Sequence, residues 1–231
     1  MTTTLITGAN KGLGREAARR LLDAGHDVWV GARDAAAGRE AADALGARFV
    51  ELDVTDDASV VAAVGTIRAA GTGLDVLINN AGIIGPRVPV PQVRPDDLAQ
   101  TYATNVLGLV RVTQAFVPLL EASDAPVVVN VSSGMGSMTI TSDPNRVEFG
   151  VVSLGYPSSK AAVNMLTTQY AKAYPAFRIN AADPGYTATD LNGHQGHQTV
   201  TEGTDAIVAL AQLGPGGPTG TFTDRSGAVP W

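Results

Sequence analysis

The stretch Thr7-Gly8-Ala9-Asn10-Lys11-Gly12-Leu13-Gly14 decides the fold. It follows a short apolar run, Thr3 to Thr7. It opens an amphipathic segment, Gly12 to Ala24, in which Ala17, Ala18, Leu21 and Leu22 share one stripe. A strand, a glycine-rich turn and a helix make the first half of a βαβ unit. The glycines permit the tight turn and let the backbone approach a pyrophosphate, and the helix N-terminus offers unpaired N–H groups and a positive dipole end. The spacing is G-x-x-x-G-x-G, which differs from the common dinucleotide pattern G-x-G-x-x-G.

Outward from this turn the pattern repeats. Strands are expected at Val28 to Val30, Arg48 to Leu52, Leu74 to Ile78, Val127 to Val131, Phe177 to Ala181 and Gly220 to Thr223. Helices are expected at Ala36 to Leu45, Asp56 to Ala70, Pro95 to Glu121, Pro157 to Tyr174 and Glu202 to Leu213. Acids open the third helix and Pro stands in the first turn of the one at Pro157, both suited to helix starts. Continuous apolar strands alternating with helices imply a mostly parallel, seven-stranded sheet covered on both faces, an α/β doubly wound architecture. Ligands in such sheets bind beyond the carboxyl ends of the strands, so the residues after each strand carry the functional reading.

Composition sets the outer bounds. The 231 residues are 45% hydrophobic and 16% charged, enough for a core and unlike a disordered chain. No linker or repeat divides them, so one domain over 1–231 is expected. A net charge of −6 argues against a general nucleic-acid binder. No apolar run reaches membrane-spanning length and Met1 to Ile6 lacks a signal-peptide pattern, so no membrane partner and a cytoplasmic location are expected. The absence of cysteine excludes disulfides and thiolate catalysis. His194 and His197 stand three apart without other ligands, so no metal is expected. A hydrolase triad lacks its G-x-S-x-G elbow.

Beyond the glycine-rich turn, Asp53-Val54 follows the third strand and Asn79-Asn80-Ala81-Gly82 the fourth. Asn105, Ser133, Tyr156 and Lys160 come in that order, and Pro184-Gly185 follows the sixth strand with Thr187 and Thr189 beyond. Together these motifs resemble the short-chain dehydrogenase/reductase family over nearly the whole chain. Within it, Ala32-Arg33-Asp34, the run Leu74 to Gly82, Val129 to Ser133 and the tail ending at Trp231 are similar to the carbonyl reductases. The resemblance implies a Rossmann-type three-layer sandwich and a nicotinamide cofactor. The implied cofactor contacts are Gly8, Asn10, Lys11, Gly12, Leu13, Gly14, Arg33, Asp53, Val54, Asn80, Ala81, Gly82, Tyr156, Lys160, Pro184, Gly185, Thr187 and Thr189. It also implies a catalytic tetrad of Asn105, Ser133, Tyr156 and Lys160.

The chemistry of the tetrad follows from its residue types. Tyr156 and Lys160 are four apart and share one helix face. An ammonium near the phenol favours phenolate and lowers the tyrosine pKa toward the working range. Tyr156 is expected to give a proton to a carbonyl oxygen in reduction and to take one in oxidation. Lys160 is expected on the nicotinamide ribose. Ser133, at the end of a strand, would hydrogen-bond the substrate oxygen, with Ser132 as the competing candidate. Asn105 either holds a water that links Lys160 to solvent or bonds its own helix backbone.

A 2′-phosphate needs cations, and Lys11 with Arg33 supplies two, so NADP(H) is preferred and NAD(H) is possible. The family's carboxylate position corresponds to Ala32; a further Arg of carbonyl reductases corresponds to Ala37, where Arg39 is the nearby substitute. Asp34 either opens the next helix or reads the ribose. The segment of about 134–155 is read as an insertion whose Met135, Met138, Ile140, Phe149, Val151, Val152 and Leu154 suit a pocket wall. Met135 and Tyr186 are the candidate substrate contacts. The leading function is NADPH-dependent reduction of an aldehyde, ketone or quinone. The alternatives are an NAD-dependent alcohol dehydrogenase and a dinucleotide sensor without catalysis. A monomer is favoured, with a homodimer as the other outcome.

Overall fold

The computed structural model describes residues 1–231. Alternating elements run β1 (Thr3–Thr7), α1 (Gly12–Asp23), β2 (Asp27–Ala32), α2 (Ala35–Leu45), β3 (Arg48–Glu51), α3 (Asp57–Ala70) and β4 (Val76–Asn79). The second half adds α4 (Pro95–Tyr102), α5 (Leu109–Leu120), β5 (Val127–Val131), α6 (Met138–Ser142), α7 (Gly155–Ala173) and β6 (Arg178–Ala182). It closes with α8 (Val200–Gly203), α9 (Asp205–Ala211), β7 (Phe222–Asp224) and β8 (Gly227–Ala228). The strands form one sheet in the order β3-β2-β1-β4-β5-β6-β7-β8. Order reverses between β1 and β4, and this switch point opens the crevice into which the strand ends project.

The core explains why the strands are continuous apolar runs. Leu5, Leu77, Val128 and Ile179 meet α3, α5 and α7 on one face. Ile6, Ile78, Val129 and Ala182 meet α1 and α9 on the other. Side chains alternate across the pleat, so a strand buried on both faces must be apolar at every position. Asp34 and Asp56 cap α2 and α3 by accepting backbone N–H bonds, and Gly46 and Gly71 end them in the left-handed conformation.

Four details differ from the sequence reading. The sheet has eight strands where seven were expected. The extra strand is antiparallel: Asp224 accepts N–H bonds from Ser226 and Gly227, folding the chain back on β7. Phe222–Asp224 replaces the expected Gly220 to Thr223, because Gly220 turns the chain at φ 69° before pairing begins. The expected helix at Glu202 to Leu213 breaks at Thr204, whose hydroxyl donates to Thr201 O and accepts from Arg20. The helical stretch Pro95–Leu120 is long and apolar enough to cross a membrane, but half of it is buried, with Val112, Phe116 and Leu120 in the core. Its continuity is interrupted by a π-turn at Ala103–Gly108.

The segment between Ser133 and Tyr156 holds a turn at Gly134–Gly136, then α6, then a turn at Val147–Gly150. The first turn seats tightly on α7, since a Cβ on Gly136 would stand 2.6 Å from the Lys160 carbonyl carbon. Thr139 N and Oγ1 donate to Trp231 O, while the Trp231 ring stacks on Phe222 at 5.3 Å. The tail is thereby tied to the insertion and to β7.

Candidate active site

The glycine-rich turn is built for close approach. Gly8 and Gly12 have φ of 63° and 55°, a region that side chains with a Cβ adopt only under strain. Gly14 has no room for one: a Cβ there would stand 2.5 Å from Asn80 Nδ2 and 2.7 Å from Gly8 O. Lys11 occupies the N-cap of α1 without a side-chain hydrogen bond to the helix, so the first-turn N–H groups face the crevice uncapped. These features fit a bound pyrophosphate. Asn80 Nδ2 donates to Thr7 O and Gly8 O, and Thr7 Oγ1 accepts from the N–H groups of Asn80 and Ala81. Asn80 thus holds the turn in shape, and Thr7 is its partner. The sequence reading did not single out Thr7, though its place at the end of β1 marks it.

At the adenosine end, Asp34 Oδ1 accepts from Ala36 and Ala37 N–H at 2.9 and 3.0 Å. Its carboxylate caps α2, as one of the two sequence readings has it. Arg33 is exposed beside it. Asp53 Oδ1 accepts from the N–H and hydroxyl of Thr55. Burial alone would raise the Asp53 pKa, but the Thr55 bonds and the Arg33 and Arg111 charges hold it below the usual carboxylate value. Val54 is buried against the π-turn. Arg39, the possible substitute at Ala37, lies with its guanidinium 4.8 Å from the Phe49 ring centroid.

Beyond β6 the chain crosses over the glycine-rich turn. A Cβ on Gly12 would touch Thr189 at 3.8 Å, and Lys11 Nζ pairs with Asp190 Oδ2 at 2.9 Å. Asp190 Oδ1 also meets His194 Nε2 at 2.8 Å. Thr187 is buried and its hydroxyl donates to Pro184 O. Asp190 was not singled out from sequence, although its i,i+4 spacing to His194 is visible there. Tyr186 is half-exposed and meets the His197 ring edge-on at 5.9 Å.

Ser133, Tyr156 and Lys160 come together at the ends of β5 and β6. The Ser133 hydroxyl accepts from Met135 N at 3.2 Å and lies near enough to the Tyr156 phenol to favour its phenolate. Ser132 is fully buried, donating to Asn164 Oδ1 at 2.5 Å. This geometry distinguishes the two serines: Ser132 anchors α7 and Ser133 faces the phenol. Lys160 is 5% exposed; its Nζ donates to Val131 O at 2.7 Å and lies 5.7 Å from the Tyr156 ring centroid. Burial brings the Lys160 pKa down to about 8, while the Asp183 carboxylate opposes the fall.

Tyr156 differs from the sequence expectation of a lowered pKa. Burial is the largest influence, and with the Asp183 charge it outweighs the lowering by the Ser133 hydroxyl, pushing the phenol up to about 12. In this structure Tyr156 therefore holds its proton at neutral pH. Asn105 also resolves one of its alternatives in part. Its side chain exchanges two hydrogen bonds with the backbone of Ile83, not with its own helix, and donates to Ser159 Oγ. It pins the 82–84 segment that follows β4. A cavity of about 10 Å³ lies between Asn105, Lys160, Thr7, Asn79 and Val54. That is room for about one water, with polar groups to hold it. Gly82 borders the same place, 3.5–3.6 Å separating its would-be Cβ from Asn105 Oδ1 and Lys160 Nζ.

Comparison with known proteins agrees with this arrangement. The family model for short chain dehydrogenase matches residues 2–199. (-)-Isopiperitenone reductase of Mentha piperita is 32% identical, over 97% of this chain and 96% of its own. The structure of salutaridine reductase from Papaver somniferum superposes with a TM-score of 0.85 at 27% identity, over 97% of this chain and 100% of that one. Carbonyl reductase Sniffer of D. melanogaster gives a TM-score of 0.86 at 25% identity, over the whole of both chains. The chain belongs to the short chain dehydrogenase family and is an NAD(P)-dependent oxidoreductase.

Proposed function

We propose that the protein is an NADPH-dependent reductase of small apolar carbonyl compounds, with Tyr156 as proton donor. The observation that carries this reading is the half-buried, protonated phenol of Tyr156 beside Ser133, with the Lys160 ammonium on the same helix face. When bound, the reduced nicotinamide supplies hydride to the carbonyl carbon. The oxygen becomes more negative as that happens, and the Ser133 and Tyr156 hydroxyls are the donors that stabilise it. Tyr156 then gives up its proton. Lys160 stabilises the phenolate left behind, and its Nζ, held by Val131 O, keeps two further N–H donors for the ribose and for the polar cavity beneath. A water in that cavity, in contact with Asn105, gives the proton a route back from solvent.

The relatives that are named as reductases support reduction as the working direction. Lys11 and Arg33 support the choice of NADPH. Met135 beside Ser133 and the half-exposed Tyr186 serve as pocket walls. Phe149, Val151, Val152 and Leu154 of the insertion remain exposed, an apolar rim that suits an apolar substrate. One domain holds both sites. A monomer is the favoured assembly; Leu107 of the stretch Pro95–Leu120 and Met165 of α7 are exposed beside the insertion, so a homodimer packed through those two helices is the outcome that light scattering would show in its place.

The test is a panel of aldehydes, ketones and quinones with NADPH and with NADH, followed at the nicotinamide absorbance. Consumption of NADPH with an apolar ketone or quinone is expected. Oxidation of alcohols with NAD, without reduction of any carbonyl, would replace this reading with that of an alcohol dehydrogenase.

A further inference from the structure

We propose that Asp183 is a positioning residue for the Tyr156–Lys160 pair: its carboxylate ties the Ser133–Gly134 turn to the Pro184–Gly185 turn and places a negative charge facing the pair. The proposal deepens the reductase reading and rests on it. The geometry is specific. Asp183 stands directly after β6, and Asp183 Oδ1 accepts from Gly185 N at 2.9 Å. Its other oxygen lies against Gly134, 3.0 Å from the place of a Cβ there, and the Gly134 backbone N–H lowers the Asp183 pKa. One carboxylate therefore clamps the loop that carries Ser133 to the loop that Tyr186 follows. Neutral side chains offer fewer acceptor sites for two N–H donors at once.

The charged and titratable groups around Asp183 come from three elements. Tyr156 and Lys160 face it from α7, Glu148 from the turn at Val147–Gly150, and Asp224 from β7. Glu148 is itself paired with Arg146 at 3.4 Å, and one of its oxygens is buried without a hydrogen bond. Burial raises the Asp183 pKa against the Gly185 and Gly134 N–H groups, and the Asp224 and Glu148 carboxylates add to the rise. In the other direction, Asp183 favours the Lys160 ammonium and disfavours the Tyr156 phenolate. Both effects keep the pair in the protonated state that reduction requires. Removing the charge must lower both pKa values together.

The chain has three lysines, Lys11, Lys160 and Lys172, which makes the prediction directly readable. Side-chain carbon NMR of lysine-labelled apoprotein gives one signal per lysine, and the Lys160 signal is assigned by its loss in Lys160→Met. In the parent its midpoint is expected near pH 8. In Asp183→Asn it should fall by on the order of half to one pH unit. The alkaline limb of kcat/KM for carbonyl reduction should move down by the same amount, with the substrate KM little changed. Loss of the Gly134 clamp alone would lower the rate without moving either midpoint, and that result would overturn the proposal. Should Asp183→Asn fail to fold, Asp183→Ser carries the same test, since it also removes the charge. The NMR midpoint needs no turnover. A parent without reductase activity would therefore defeat the proposed function, while an unmoved Lys160 midpoint would defeat the role of Asp183.

Discussion

Lys160→Met should make the apoprotein more stable while destroying its activity. The ammonium is buried to 5% exposure, and its pKa falls from 10.5 to about 8. Each pH unit corresponds to about 1.4 kcal/mol, so holding the charge in the fold at neutral pH costs about 3 kcal/mol. Methionine keeps the length and apolar stem but removes the charge. Val131 O then loses its 2.7 Å donor, a loss of about 1–2 kcal/mol for an under-satisfied carbonyl. The net gain is about 1–2 kcal/mol, or about 2–8 °C in Tm for a chain of this size. The sign with pH follows from the depressed pKa. The parent carries the full penalty below pH 8 and is relieved of it as pH rises toward 10.5. The advantage of the variant should therefore be largest at pH 7, vanish between about pH 9 and pH 10, and reverse near pH 10.5, where only the lost Val131 bond remains. Urea unfolding of both apoproteins at pH 7 and pH 10 measures this, with nicotinamide cofactors excluded because a bound ligand stabilises the fold. A variant less stable than the parent at pH 7, or a difference that does not shrink with pH, would refute the idea that this buried charge is held at a cost.

Three further outcomes are expected. Tyr156→Phe should lower turnover by about 10²–10⁴-fold, the range of general acid catalysis, while NADPH binding by fluorescence survives; near-normal rates would take the proton from another group. Arg33→Ala should reduce NADPH affinity about tenfold and leave NADH nearly unchanged, an effect that weakens with salt because the contact is exposed; equal loss for both cofactors would remove the 2′-phosphate from its role. Gly14→Ala should cost about 1–3 kcal/mol in unfolding free energy and weaken both cofactors together, since the new Cβ meets Asn80 Nδ2 at 2.5 Å and Gly8 O at 2.7 Å; a stable variant with normal binding would show that the turn has slack.

The parallel sheet was legible because its strands are buried on both faces and therefore apolar without a break, as at Val127–Val129. The eighth strand was not, because Gly227–Ala228 is too short for any period and depends on the turn that Asp224 makes. The glycine-rich turn was visible from its spacing and its place after a strand, and the grouping of Ser133 with Tyr156 and Lys160 was implied by the family resemblance. The electrostatics were not. Sequence spacing shows Lys160 four residues from Tyr156, but it shows neither the burial that raises the phenol nor the carboxylate of Asp183 behind both. Nor does it show that the Asn105 amide bonds Ile83, a residue 22 positions away.

The cofactor preference rests on which charges at the crevice are already committed. Asp34 is used by the α2 N-terminus, so reading a ribose would cost that cap on the order of 1 kcal/mol. Arg39 is laid over Phe49. Lys11 is paired with Asp190, but both side chains are more than half exposed, and such an exposed pair contributes little to stability. A phosphate with two charges offers Lys11 a stronger partner than a carboxylate shared with His194. Arg33 makes no ion pair and needs only to swing from the field of Asp53. The committed carboxylate and the two available cations therefore favour the 2′-phosphate on the same side of the balance. Lys11 does so at the expense of a weak contact that otherwise holds the chain after Thr189 over the glycine-rich turn.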